Sequence, residues 1–152
     1  MTEEGKKAPA FTLKNQAGKP VKLSDFAGRH VVLYFYPKDD TPGCTKEACS
    51  FRDQHANLKR AGAVVLGVSP DDEQRHAKFR EKYALPFDLL ADVDYAVAQK
   101  YGAWGEKRLY GRTYQGIIRS TFLIGPDGRV KKVWPKVKVD GHAEEVLAAL
   151  KG

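Results

Sequence analysis

Two cysteines, Cys44 and Cys49, are the only thiols of the chain, and both fall in the stretch Thr41-Pro42-Gly43-Cys44-Thr45-Lys46-Glu47-Ala48-Cys49. A thiol can serve as nucleophile, metal ligand or half of a disulfide, and its surroundings decide which. Thr41 suits a helix N-cap, and Pro42 suits the first helical position, where its missing N–H has no intrahelical partner to lose. Cys44 then lies in the first turn. Unpaired backbone N–H groups and the positive end of the helix dipole favour a thiolate there, so its pKa is expected to fall from about 8.5.

Cys49 follows five positions later. At ~100° and ~1.5 Å per residue the two side chains diverge by ~140° with Cα atoms ~8.6 Å apart, beyond the ~4.4–6.8 Å of a disulfide. On an intact helix the two cannot bond, and any reaction between them requires the first turns to unwind. On spacing alone Cys49 reads equally well as an inert core residue, since free cysteine fills cores readily. Cys44 is a poorer core filler beside Pro-Gly at a helix start. A zinc site is not expected, because His30, His55, His76 and His142 are scattered singly and supply no ligand cluster.

The elements around the cysteines alternate between strand and helix. Phe11 to Leu13 and Val21 to Leu23 flank a turn-rich stretch and predict an N-terminal β-hairpin. Val31-Val32-Leu33-Tyr34-Phe35-Tyr36 is the continuous run of a strand buried on both faces. The cysteine helix is expected to run to about Arg60, followed by a second buried strand, Ala63 to Val68, and a helix from Ser69-Pro70 to about Tyr83 with acids in its first turn. Phe87 to Leu90 reads as a short strand and Val93 to Tyr101 as a short helix. Gly102 to Gly116, rich in Gly, Tyr and Arg, reads as a loop. Ile117 to Ile124 and Arg129 to Trp134 flank Gly125-Pro126-Asp127-Gly128, an Asp-Gly hairpin signal, and Ala143 to Leu150 forms a closing helix. The pattern is α/β: a mixed central sheet with helices on both faces and an N-terminal hairpin, in a single domain spanning 1–152.

Composition narrows the function classes. With 42% hydrophobic and 30% charged residues, the 152-residue chain has a soluble globular composition. No apolar run approaches the roughly 18 residues of a membrane span. Met1 to Lys7 has no apolar signal core, so a cytoplasmic location is expected. The net charge of +7 is distributed among acids, as in Asp71-Asp72-Glu73-Gln74-Arg75, and reads as a solvated basic surface rather than a nucleic-acid face.

Pro37-Lys38-Asp39-Asp40-Thr41-Pro42-Gly43-Cys44 has the form Pro-x-x-x-Thr-x-x-Cys after a hydrophobic strand. With it, the chain closely resembles the peroxiredoxins, and within them the bacterioferritin comigratory protein or peroxiredoxin Q group. The likeness extends through Ala8-Pro9-Ala10-Phe11, Gly67-Val68-Ser69, Trp104-Gly105-Glu106-Lys107, Arg119-Ser120-Thr121-Phe122 and Gly141-His142. It implies a thioredoxin-like fold and thiol-dependent reduction of hydrogen peroxide and organic hydroperoxides, with no cofactor. By the same resemblance, Cys44 is the peroxidatic cysteine, oxidised to a sulfenic acid. Thr41 is implied to hydrogen-bond the peroxide, and Arg119 to hold the thiolate and stabilise charge on the leaving oxygen. Gly43 and Cys44 offer backbone N–H groups, Pro37 shields the site from water, and Glu47 orients Arg119 through a bidentate pair. Cys49 matches the position of a resolving cysteine, which implies a Cys44–Cys49 disulfide reduced by thioredoxin or a similar dithiol. Such an intramolecular pair needs no dimer, so a monomer suffices.

Plainer roles are open for several of these residues. Thr41 can be only a cap, Pro37 only a strand terminator, and Glu47 a solvated acid on an exposed helix face. Arg119 lies in an apolar strand, where a charge is rarely buried without a partner. The alternative activity is a thioredoxin-like thiol-disulfide oxidoreductase, although such proteins usually place Cys-x-x-Cys at the helix start.

Overall fold

The sheet is built outward from β3 (His30–Phe35) and β4 (Ala63–Ser69), which pair in parallel with Val31 beside Val64 and Phe35 beside Val68. The computed structural model describes residues 1–152. β5 (Asp88–Ala91) extends the parallel set, and β1 (Thr12–Asn15) and β2 (Pro20–Lys22) add antiparallel as the expected N-terminal hairpin. On the other side β8 (Ser120–Ile124) and β9 (Val130–Trp134) pair antiparallel, giving a seven-stranded order of β2-β1-β5-β4-β3-β8-β9.

The run predicted as a doubly covered strand is one. Val31, Leu33 and Phe35 enter one core, whereas Val32, Tyr34 and Tyr36 enter the other. Fully burying an aliphatic or aromatic side chain of this size is worth roughly 1.5–3 kcal/mol. Three helices, α1 (Pro42–Arg60), α2 (Glu73–Lys82) and α4 (His142–Lys151), pack on the second core through Phe51 and Leu58, Phe79, and Val146. The short α3 (Ala96–Tyr101) covers the opposite face, with Val97, Ala98 and Tyr101 in the first core.

Three local expectations are corrected. Gly102 to Gly116 is not a loop: β6 (Trp104–Leu109) and β7 (Arg112–Ile117) form a separate antiparallel hairpin, turning at Tyr110 and Gly111. The expected strand from Ile117 to Ile124 is broken at Ile118 and Arg119. There the Ile118 N–H donates to the Ala103 carbonyl at 2.9 Å and the Arg119 carbonyl accepts from Val137 at 3.0 Å, so neither residue lies within β7 or β8. Helix α2 starts at Glu73 rather than Ser69, since Ser69 completes β4 and Asp72 takes the N-cap, accepting from the Arg75 N–H at 2.9 Å.

The register has a direct consequence for the cysteines. Phe35, the last residue of β3, pairs with Ser120, the first of β8. Arg119 therefore arrives at the end of the sheet where β3 releases the chain toward α1. A strand pairing brings it beside a thiol 75 residues away.

Gly67 lies beside Tyr34 in this register, and a Cβ there would sit 2.9 Å from the Tyr34 ring and 3.0 Å from Leu89. Both neighbours are fully buried and cannot yield cheaply. Gly67→Ala is expected to cost about 1–3 kcal/mol in urea unfolding. Unchanged stability would mean that Tyr34 has room to move.

Candidate active site

Helix α1 starts where the sequence places it, with Thr41 in extended N-cap geometry and Pro42 in the first turn. The capping role expected of the Thr41 side chain is not made: its hydroxyl donates to the Lys38 carbonyl at 2.9 Å. The hydroxyl proton is engaged in a backbone turn, which leaves the oxygen lone pairs to accept from another donor. The helical ladder opens with the Thr45 N–H on the Thr41 carbonyl at 2.8 Å, so the N–H groups of Gly43 and Cys44 precede it. Pro37, half-buried, forms the bend between β3 and this turn.

Cys44 is 1% exposed and Glu47 is also 1% exposed, one helical turn apart on the same face. The guanidinium of Arg119 joins them. Its Nη2 donates to Cys44 Sγ at 3.1 Å and its Nη1 to Glu47 Oε1 at 2.6 Å. A Cβ added at Gly43 would meet Arg119 Nη2 at 3.4 Å, so this glycine lets the guanidinium lie close to the helix start. The Glu47 contact is single rather than bidentate, because the second guanidinium arm is spent on sulfur. Glu47 Oε2 is consequently buried without a partner, as is the hydroxyl of Tyr34. A solvated role for Glu47 is ruled out by its burial.

The electrostatics follow from this crowding. Burial pushes the Glu47 carboxyl up from 4.5 to about 7, against the opposing pull of Arg119. For Arg119, burial works against the charge, but Glu47 and then Cys44 outweigh it and its pKa is raised. The Tyr34 hydroxyl is raised well above its usual range, first by burial and then by the nearby Glu47. Lys107, half-buried on β6, is lowered by burial and by Arg119, with Cys44 opposing. The hairpin thus holds a second cation near the thiol.

Cys49 is half-buried, and neither cysteine is in a disulfide. The helix runs unbroken from Pro42 to Arg60, so the ~8.6 Å separation of ideal geometry applies to the folded state. Arg52, one turn beyond Cys49, is fixed by the Tyr83 carbonyl at 2.9 Å and by Asp53 at 3.0 Å. The structure therefore brings Cys44, Glu47 and Arg119 together and leaves Cys49 on another face. Reasoning from sequence assigned no role to Tyr34 or Lys107; the nearest signal was the quoted Trp-Gly-Glu-Lys segment. It also gave none to Asp39, Asp71 and His76, whose potential ligand atoms lie within 4.8 Å of one another at the foot of the Pro37–Thr41 loop.

Residues 5–133 match the family model described as AhpC/TSA. The chain belongs to that family. It is 54% identical over 148 residues to a putative peroxiredoxin Bcp of Coxiella burnetii, covering 97% of this chain and 98% of the relative. It is 52% identical to the peroxiredoxin Bcp of Bacillus subtilis, covering 98% and 95%. Among solved structures, the bacterioferritin comigratory protein of Xanthomonas campestris, studied for its alkyl peroxide reduction activity, aligns with a TM-score of 0.91 at 42% identity, over 98% of both chains. A cysteine-to-serine mutant of peroxiredoxin Q from Xylella fastidiosa aligns with a TM-score of 0.94 at 38% identity, over 99% and 96%. The fold is thus the thioredoxin-like fold of the peroxiredoxins, and the activity is that of a thiol-dependent peroxidase. No helix is long and apolar enough to cross a membrane.

The raised carboxyl of this peroxiredoxin gives a signed pH effect. Glu47 ionises more readily unfolded, near 4.5, than folded, near 7. Stability from this group is fully present below about pH 4.5 and is lost as pH rises through about 7. Glu47→Gln cannot ionise. In urea unfolding, the variant's stability relative to the parent is expected to rise between pH 4.5 and 7 and to level off above. A constant difference across that window would show that Glu47 titrates in its ordinary range.

Proposed function

We propose that Cys44 is the thiol that attacks peroxide, carried by one observation: a buried guanidinium donates to its sulfur while a buried carboxylate holds that guanidinium in place. The Cys44 thiolate attacks the terminal oxygen of the hydroperoxide, the O–O bond breaks, sulfur becomes a sulfenic acid, and the departing alkoxide or hydroxide takes a proton. Arg119 is suited to offset negative charge on sulfur beforehand and on the leaving oxygen afterwards. Thr41, whose proton is occupied by Lys38, is suited to accept a hydrogen bond from the peroxide. The N–H groups of Gly43 and Cys44 face the same end of the helix, and Pro37 screens it from water.

Cys49 then resolves the sulfenic acid. Its thiol displaces the sulfenic hydroxyl as water, and a Cys44–Cys49 disulfide remains. The first turns of α1 must unwind for this step, and the residues that hold them fall into two groups. Cys44 and Glu47 are tied by Arg119, whereas Phe51 is fully buried and stacked on Tyr34 at 4.8 Å. Unwinding is therefore expected to stop before Phe51. A thioredoxin-type dithiol reduces the disulfide by exchange, and both cysteines being on one chain lets a monomer complete the cycle. Hydrogen peroxide and alkyl hydroperoxides are the substrates we assign, the latter supported by the Xanthomonas relative. A pair that cycles between free thiol and disulfide suits the reducing cytoplasm. General thiol-disulfide exchange fits less well, because a sulfur that is 1% exposed admits a small peroxide more readily than a protein disulfide.

Cys44→Ser is expected to abolish peroxide consumption, and near-native turnover in that variant would sink the proposal. Arg119→Met is expected to slow oxidation of Cys44 by roughly 10²–10³-fold in single-turnover kinetics. Cys49→Ser is expected to oxidise once and then fail to cycle with thioredoxin. After one equivalent of peroxide the native chain should lose two hydrogens by mass, with a Cys44–Cys49 link in its peptide map; a stable sulfenic acid instead would remove Cys49 from the cycle.

A further inference from the structure

Beneath the Pro37–Thr41 loop lies a buried polar network that the mechanism above does not use. His76 of α2 is fully buried, and Asp39 of the loop is 9% exposed. The His76 Nε2 faces the Leu90 carbonyl at 2.9 Å, and since a carbonyl only accepts, this nitrogen carries a proton. Nδ1 faces Asp39 Oδ2 at 2.7 Å. One proton lies between them, whether the pair is imidazolium with carboxylate or imidazole with carboxylic acid. The bond is made and the pair is neutral in either form.

We propose that Asp39 and His76 are a positioning pair for the peroxide-reacting site, a one-proton link by which α2 and β5 fix the Pro37–Thr41 loop and the start of α1. The inference rests on Cys44 being the reacting thiol. Asp39 is held at three atoms: His76 on Oδ2, the Tyr36 hydroxyl on Oδ1 at 2.6 Å, and its own N–H on Asp71 Oδ2 at 2.7 Å. Asp71 Oδ2 in turn accepts from the Ser69 hydroxyl at 2.7 Å. The ligand atoms are spent on one another, which identifies the group as a hydrogen-bonded clamp rather than a cation site.

The clamp acts two residues before Thr41 and five before Cys44. Between lies Asp40, a non-glycine residue with φ of 57° in the left-handed region. Its carboxylate is tied to Lys82 at 2.8 Å and to the Tyr83 hydroxyl at 2.9 Å, again at the end of α2. The Thr41 hydroxyl then closes on Lys38. Lys38 to Thr41 is thus fastened to α2 or to itself, and the hydroxyl suited to meet peroxide is positioned from His76. Peroxide attack needs the O–O axis aligned with sulfur, and a misplacement of about 1 Å costs on the order of 10²-fold. Alkylation of the same sulfur by iodoacetamide places no such demand on Thr41.

Two substitutions of similar size separate the bonds of His76. His76→Asn places an amide near Nδ1, keeping the Asp39 link and losing Leu90. His76→Gln places one near Nε2, keeping Leu90 and losing Asp39. The second-order rate of Cys44 oxidation by hydrogen peroxide is expected to fall at least 10-fold in the Gln variant, with most of the rate recovered in the Asn variant. The iodoacetamide rate is expected to stay within about 2-fold in both. Equal peroxide rates in the two variants, or parallel losses of peroxide and iodoacetamide reactivity, would overturn the pairing. Should neither fold, Asp39→Asn against Asp39→Ala decides it. The Asn amide can donate to Nδ1 and accept from Tyr36, so only Ala should lose the rate; equal rates would overturn the inference. Loss of the Cys44 thiol in the unmodified protein is followed in the same assay. If another group consumes the peroxide, the role of Cys44 fails; if Cys44 reacts but Gln and Asn behave alike, only the Asp39–His76 link fails.

Discussion

The site depends on one guanidinium reaching a sulfur and a carboxylate at once. Arg119 spends one arm on Cys44 and the other on Glu47, in a pocket that excludes water from both acceptors. Such an arrangement is conditional in every part. Removing one member of a buried ionic group leaves the others uncompensated, which costs far more than the pairing contributes. The carboxyl held near 7 is the mark of that tension, since burial disfavours its charge while the arginine invites it. The sheet supplies the fixed frame, because the β3–β8 register determines where the arginine arrives.

Helix α1 is consequently two structures in one. From Phe51 onward it is fastened by apolar burial, with Phe51 and Leu58 fully enclosed. Its first turns are fastened by polar contacts to the sulfur and to an acid one turn away. Oxidising the sulfur alters its size and its quality as an acceptor, so the chemistry acts on the bonds that hold this segment. Under the proposed cycle, the division between the part that stays folded and the part that unwinds falls next to Cys49.

Continuous apolar patterning made the centre of the fold legible. Val31 to Tyr36 could be read because every residue is apolar or aromatic, and α1 because Thr-Pro opens it and charges follow. The β6–β7 hairpin was not legible: Glu106, Lys107 and Arg108 with Gly105 and Gly116 give no alternating apolar face, and much of the hairpin is exposed. The residues gathered around Cys44 were named from sequence largely through family resemblance, whereas their geometry was only partly foreseen. Glu47 meets Arg119 through one oxygen, Thr41 does not cap, and Arg119 sits in a break rather than a strand. Asp39 and His76 were invisible as a pair because 37 residues separate them and only the packing of α2 beneath the loop joins them.

The far side of α1 carries a different consequence. Phe51 meets His142 edge to face at 5.8 Å, and His142 meets Trp134 in the same manner at 5.4 Å, with its Nε2 held by Thr121 at 2.8 Å. The indole of Trp134 is therefore linked to the cysteine helix through a single imidazole. The other indole, Trp104, packs against Tyr95 in a tilted arrangement with ring centroids 4.4 Å apart, at the base of the hairpin. The molecule thus contains its own pair of optical probes, one coupled through Phe51 to the part of α1 held by apolar burial and the other on the hairpin that carries Lys107. Its emission spectrum is a readout of conformation that needs no added label.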